Sequence, residues 1–195
     1  MTDKMHSRRR FGKLALAGAL GALAGGPSLA QALEPGVAPE GGLRRRVSGS
    51  TSRRWQDHFE SVASDAILCD INDRTLHYWG ADGSYRIYPT SVPMSDEMTR
   101  RGRTEIVMKR PTPEWSPTPS MIERNPDLPR YVGPGPDNPL GVRALNLGWR
   151  YYLIHGGSDI RKIGRQSSSG CIGLYNEHIL EVYERAKVGT PVLVI

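Results

Sequence analysis

The chain has 195 residues, with 26 Lys/Arg against 20 Asp/Glu for a formal charge of +6, and only two cysteines. Residues 1–32 hold five of the basic and one of the acidic side chains, so the remainder carries only +2, too little to argue for a nucleic-acid partner. That remainder, roughly 160 residues, is long enough for one domain with its own core and needs no disulfide framework.

At the N-terminus, Arg8, Arg9, Arg10 and Lys13 precede a Gly- and Ala-rich apolar run from Leu14 to Ala24. Ala30-Gln31-Ala32 then offers a small-residue cleavage site. The run is shorter than the ~20 residues a membrane-crossing helix needs. Ser7 to Lys13, read S-R-R-R-F-G-K, resembles the twin-arginine export signal. The resemblance implies export to a bacterial periplasm, with residues 1–32 as the signal and no stable membrane insertion after its removal. A membrane-anchoring helix is the competing reading of this segment.

Residues 33–64 read as a linker with a short helix over Arg54 to Ala63. Arg44-Arg45-Arg46 and Arg53-Arg54 in it form a solvated basic stretch, with at most weak attraction to an acidic wall polymer. Strands are expected over Ala66 to Ile71 and Thr75 to Trp79 around the turn pair Asn72-Asp73. Further strands are expected over Tyr85 to Tyr88 and Thr104 to Lys109. Nine prolines between 111 and 141 forbid long regular elements there, while Trp115, Met121, Ile122 and Tyr131 argue for packing. Strands follow over Val142 to Leu147 and Tyr151 to His155. One helix is clear, with Asn176 as N-cap, an apolar face of Ile179, Leu180, Val182, Tyr183 and Ala186, and an end at Gly189. A last strand runs from Pro191 to Ile195. The class is mainly β.

Cys171 sits in S-S-S-G-C-I-G with glycines at 170 and 173, small neighbours that let a substrate carbonyl approach a reactive thiol. A thiol becomes a nucleophile when an imidazole can take its proton. His155 closes a strand just before Gly156-Gly157 and so is held by the sheet yet open on one side. Two plainer readings stand beside this pairing. Cys69 and Cys171 could form a disulfide in an oxidising compartment. His77, His155, His178 and Cys171 could ligate a metal, although no paired ligand spacing is present.

Four ordered motifs resemble the L,D-transpeptidase catalytic domain, also called YkuD. They are Trp115 to Met121, Gly133 to Gly141, Ile154-His155-Gly156, and Ser168 to Ile172 followed by Gly189-Thr190-Pro191-Val192. The resemblance covers residues 65–195 and implies a sandwich-like β fold with one helix after the nucleophile. It implies Cys171 as nucleophile, His155 as general base and the Gly156 carbonyl orienting the imidazole. The Gly170 and Cys171 amides would serve the oxyanion, and Ser168 would orient the loop through its hydroxyl. Ser169 would stand beside the oxyanion and substrate, where many relatives have His.

Gly173 stands where many relatives have an arginine for the substrate, leaving Arg143, Arg161 or Arg165 to supply charge. The implied activity is L,D-transpeptidation of peptidoglycan stem peptides, without cofactor, by a monomer in cell-wall biogenesis and cell shape. L,D-carboxypeptidase hydrolysis of the same stem, or a non-catalytic wall-binding domain, would also fit the motifs. Cys69 then becomes a buried small hydrophobe.

Overall fold

A computed structural model describes residues 53–195 of the chain. The expected signal and most of the expected linker lie outside the described residues. Ten strands form: β1 (Ala66–Asp70), β2 (Thr75–Trp79), β3 (Tyr85–Pro89), β4 (Val92–Pro93), β5 (Gly102–Arg110), β6 (Ala144–Leu147), β7 (Leu153–His155), β8 (Gln166–Ser168), β9 (Ile172–Gly173) and β10 (Pro191–Val194). Two α-helices join them, α1 (Pro119–Arg124) and α2 (Asn176–Arg185). Eight strands make one mixed sheet in the order β3-β2-β1-β10-β5-β6-β7-β9, curled like a half-barrel, while β4 and β8 pair separately. The expected mainly β fold holds, as a curled half-barrel of β-sheet with few helices.

The central strand β1 is buried at all five positions, which is why its sequence reads as a continuous apolar run without alternation. Ile67 and Cys69 face the main core, while Ala66 and Leu68 join Phe59 and Trp79 in a second cluster. Helix α2 closes the main core with Ile179 and Val182, both fully buried, each contributing about 1.5–3 kcal/mol. Asp70 shapes the turn after β1 by accepting the Asn72 and Asp73 amides at 3.0 Å each, and Arg53 pairs with it at 2.6 Å.

Several elements differ from the sequence expectation. The helix over 54–63 shrinks to a 3-10 turn at Trp55–Asp57. The proline-rich segment holds the six-residue α1, with Pro119 in its first turn and Thr118 as its N-cap. Helix α2 ends at Arg185, because Lys109 of β5 donates to the Tyr183 and Ala186 carbonyls at 2.6 and 2.8 Å. Leu180 is exposed on it instead of buried. No helix among the described residues is long and apolar enough to cross a membrane.

Candidate active site

The register of the sheet edge decides which side chains meet. His155 lies between Ala144 of β6 and Gly173 of β9, two neighbours with little or no side chain, so its imidazole has room. The parallel pairing of His155 with Gly173 puts Cys171, two residues earlier, on the same face of the sheet. Both line one cleft of about 560 Å³.

The imidazole is oriented by its neighbour in sequence. His155 Nδ1 donates to the Gly156 carbonyl at 2.5 Å. A carbonyl can only accept, so this bond assigns the ring hydrogen to Nδ1 and leaves Nε2 with its lone pair. Burial lowers the His155 pKa to about 4 against the support of the Gly156 bond, with the Lys162 charge lowering it further. The base is therefore neutral and ready above that pH.

The thiol is held down too. Burial pushes Cys171 up to about 11, partly offset by a backbone hydrogen bond from Leu153. Its Sγ donates to the Tyr151 carbonyl at 3.4 Å. Tyr151 has φ +70, an uncommon conformation for a residue with a side chain, and that twist presents the carbonyl. The resting pair is thus neutral thiol and neutral imidazole.

A pH consequence follows from these two positions. Iodoacetamide labelling of Cys171, read by intact mass, is expected to rise about tenfold per pH unit between pH 7 and 10, without a plateau. A rate already level from pH 5 upward would mean a preformed thiolate–imidazolium pair.

The serine loop is tied from both ends. Ser168 Oγ donates to the Cys171 carbonyl at 2.6 Å and accepts weakly from the Gly170 amide at 3.4 Å. Ser169 accepts from Arg124 of α1 at 3.1 Å, linking the proline-rich segment to the nucleophile loop. Gly170 has φ +128, and a Cβ there would meet the Tyr152 ring and the Met98 carbonyl. Its glycine is therefore required by the backbone, a different reason from keeping the carbonyl's path clear.

The cations that could stand in for an arginine at 173 are engaged elsewhere or absent from the lining. Arg143 donates to the Pro111 and Val142 carbonyls, and Arg161 pairs with Asp159. Arg110 and Lys162 are the basic side chains that line the cleft.

The side chains that a disulfide or a metal site would need are spread through the fold. Cys69 and Cys171 are both free thiols, the first buried in β1. His77 bonds Thr75 and Tyr85 in β2 and β3 at 2.9 and 2.7 Å, while His178 packs against Tyr88 and Tyr175. No cluster of three metal-ligating side chains forms among the described residues.

The proline-rich segment supplies the opposite wall through Trp115, Met121, Leu128 and Tyr131. Its hub is Asn138, fully buried, donating to the Pro113, Val132 and Gly133 carbonyls and accepting the Leu140 amide. Asn176 is a second hub. It is not the N-cap of α2 but accepts the Gly157 and Val142 amides at 3.1 and 3.3 Å. A Cβ on Gly156 would collide with that same Asn176 oxygen, which explains the glycine beside the base. Sequence reasoning places Asn138 inside a motif without giving it a role, and it misses Tyr151 and Lys162 as site residues.

Comparison with known proteins settles the family. Residues 64–194 match the L,D-transpeptidase catalytic domain, YkuD. The chain belongs to the L,D-transpeptidase catalytic domain family. It is 50% identical over 196 residues, end to end in both chains, to a Fuscovulum blasticum protein named for an L,D-transpeptidase in the ATP synthase subunits region. It is 41% identical over 138 residues to the L,D-transpeptidase YbiS of Escherichia coli K12, covering 68% of this chain but only 45% of that one.

Among solved structures, L,D-transpeptidase 3 of Mycobacterium tuberculosis aligns with a TM-score of 0.57 at 17% identity, over 68% of this chain and 61% of that one. An L,D-transpeptidase of Stackebrandtia nassauensis aligns with a TM-score of 0.53 at 16% identity, over 76% and 62%. These two share the fold. By family and by its half-identical relative, the protein is an enzyme of the L,D-transpeptidase class.

Proposed function

We propose that the protein is a cysteine acyltransferase of peptidoglycan, working through a thioester on Cys171. The observation that carries this reading is the His155 imidazole, fixed by the Gly156 carbonyl with Nε2 unprotonated, on the same sheet face and in the same cleft as the Cys171 thiol. Nε2 takes the thiol proton as Sγ attacks the carbonyl of the diaminopimelate–D-Ala bond. The carbon–nitrogen bond breaks, and D-Ala leaves with the proton from His155. Because thiol and imidazole both rest neutral, proton transfer accompanies attack, and the Gly170 and Cys171 amides are the donors for the developing oxyanion.

The thioester is then resolved by an amine of a second stem, which gives a 3→3 cross-link and returns the proton through His155. Water in place of the amine gives tripeptide, an L,D-carboxypeptidase outcome. A lipoprotein lysine is a third acceptor. The motif at Ser7 to Lys13 supports export by the twin-arginine route, removal of residues 1–32 and work in the periplasm. The catalytic unit occupies residues 65–195 and acts as a monomer in cell-wall biogenesis and the maintenance of cell shape.

Incubation of the protein with disaccharide tetrapeptide, followed by mass spectrometry, tests the reading. Cross-linked dimer with released D-Ala is expected. Tripeptide alone would assign the hydrolytic activity, and unchanged tetrapeptide would contradict this stem as the acyl donor.

A further inference from the structure

The face of Gly173 opposite the nucleophile loop carries a second pairing. Ser91, just before β4, exchanges two backbone hydrogen bonds with Gly173, at 2.8 and 3.1 Å. This bridge fixes the direction of the Ser91 side chain, which lines the cleft together with His155 and Cys171. Ser91 is only 5% exposed as a residue, and what remains open is on the side of the cleft. Unlike the sealed-off Thr90 hydroxyl next to it, the Ser91 hydroxyl is reached from the cleft, where it is free to bond a group that arrives from outside.

The geometry around Gly173 says where that group would be. A Cβ on residue 173 would fall on the Ser91 hydroxyl oxygen, and it would stand 3.8 Å from His155 Cε1. The hydroxyl therefore occupies the space in which any side chain at 173 would begin, beside the imidazole that serves the reaction.

We propose that Ser91 is a substrate-contacting, specificity-determining residue whose hydroxyl donates a hydrogen bond to a carbonyl or carboxylate oxygen of the donor stem held beside His155. The assignment rests on the acyl-transfer reading above. It makes Ser91 and Gly173 a matched pair in which the glycine leaves room and the serine supplies the polar contact. An uncharged donor there replaces whatever a longer side chain from 173 would bring, so the pair sets which stem oxygen is read at this spot.

Three variants test the pair, each followed by kcat/KM on disaccharide tetrapeptide, by the Cys171 labelling rate and by the thermal midpoint. Ser91→Ala is expected to lower kcat/KM about tenfold if the acceptor is a carbonyl and more if it is a carboxylate, the worth of one hydroxyl hydrogen bond, with labelling and midpoint unchanged. Ser91→Gly is expected to lose as much, and the exchange Ser91→Gly with Gly173→Ser to recover most of the loss by returning a hydroxyl to the same space. Gly173→Ser alone should lower the midpoint, because its side chain collides with Ser91. Unaltered kcat/KM in Ser91→Ala, a changed labelling rate, or an exchange that recovers nothing would each overturn the proposal. Wild-type protein that labels at Cys171 yet leaves the tetrapeptide untouched would instead defeat the acyl-transfer reading, and the proposal with it.

Discussion

Cys171→Ala is expected to abolish acyl transfer, by at least about 10³-fold, while moving the thermal midpoint by no more than about 3 °C. The asymmetry comes from where the thiol sits. Cys171 is part-exposed at the cleft, and the tie of its side chain to the fold, a 3.4 Å contact with the Tyr151 carbonyl, is weak. Removing it deletes the nucleophile and opens no large core cavity. Cys69→Ala should behave in the opposite way. Its thiol is 1% exposed inside β1 and is pushed up to about 12 by burial and by Asp70. Its loss costs packing, about 1–2 kcal/mol, and leaves turnover intact. Equal effects of the two substitutions on midpoint and turnover would contradict this division. Paired melting curves and initial rates measure it.

Asn138→Ala carries the largest expected stability effect. One amide group holds the proline-rich wall by sharing its two N–H groups among three carbonyls, Val132 the most distant at 3.2 Å, and accepting the Leu140 amide at 2.8 Å. Val132 keeps another partner, because its carbonyl also accepts from Trp115. The Pro113 carbonyl and the Leu140 amide, both buried, do not, and each such orphan costs about 1–3 kcal/mol, with less from the part-buried Gly133 carbonyl. A total near 3 kcal/mol or more is expected in denaturant melts, together with a raised KM as Trp115, Met121 and Tyr131 lose their positions in the cleft. Asn138→Asp should not rescue the wall, since a carboxylate cannot donate to carbonyls and brings a buried charge. A cost below about 1 kcal/mol for Asn138→Ala would show that the loop is held by its prolines instead.

The central sheet was legible because its strands carry their own signal. In β1 and β2 the apolar runs and the Asn72-Asp73 turn read directly from the chain, and both strands form where expected. Strands β4, β8 and β9 were not legible. Each is two or three residues long and exists only because a distant partner is present, as when Ile172 pairs with Ile154. The end of α2 failed for the same reason. Lys109 satisfies its last carbonyls from another element, so Gly189 was not needed as a stop.

At the site, the thiol and its base were readable from residue type and motif order. The partners of the glycines were not. Gly170 answers to its own positive φ, Gly156 to the Asn176 oxygen, and Gly173 to Ser91, some eighty residues upstream. That last contact also decides what Gly173→Arg would do. The new side chain would strike the Ser91 hydroxyl before reaching any substrate, so a change of selectivity requires Ser91→Gly as well.

The most direct test of the account is the intact mass of the protein mixed rapidly with tetrapeptide donor and quenched in acid. A gain equal to the donor less D-Ala, located on the peptide containing Cys171 and removed by hydroxylamine, is the predicted result. Turnover of the same donor with no adduct on Cys171, or with its full rate retained in Cys171→Ala, would contradict the thioester mechanism.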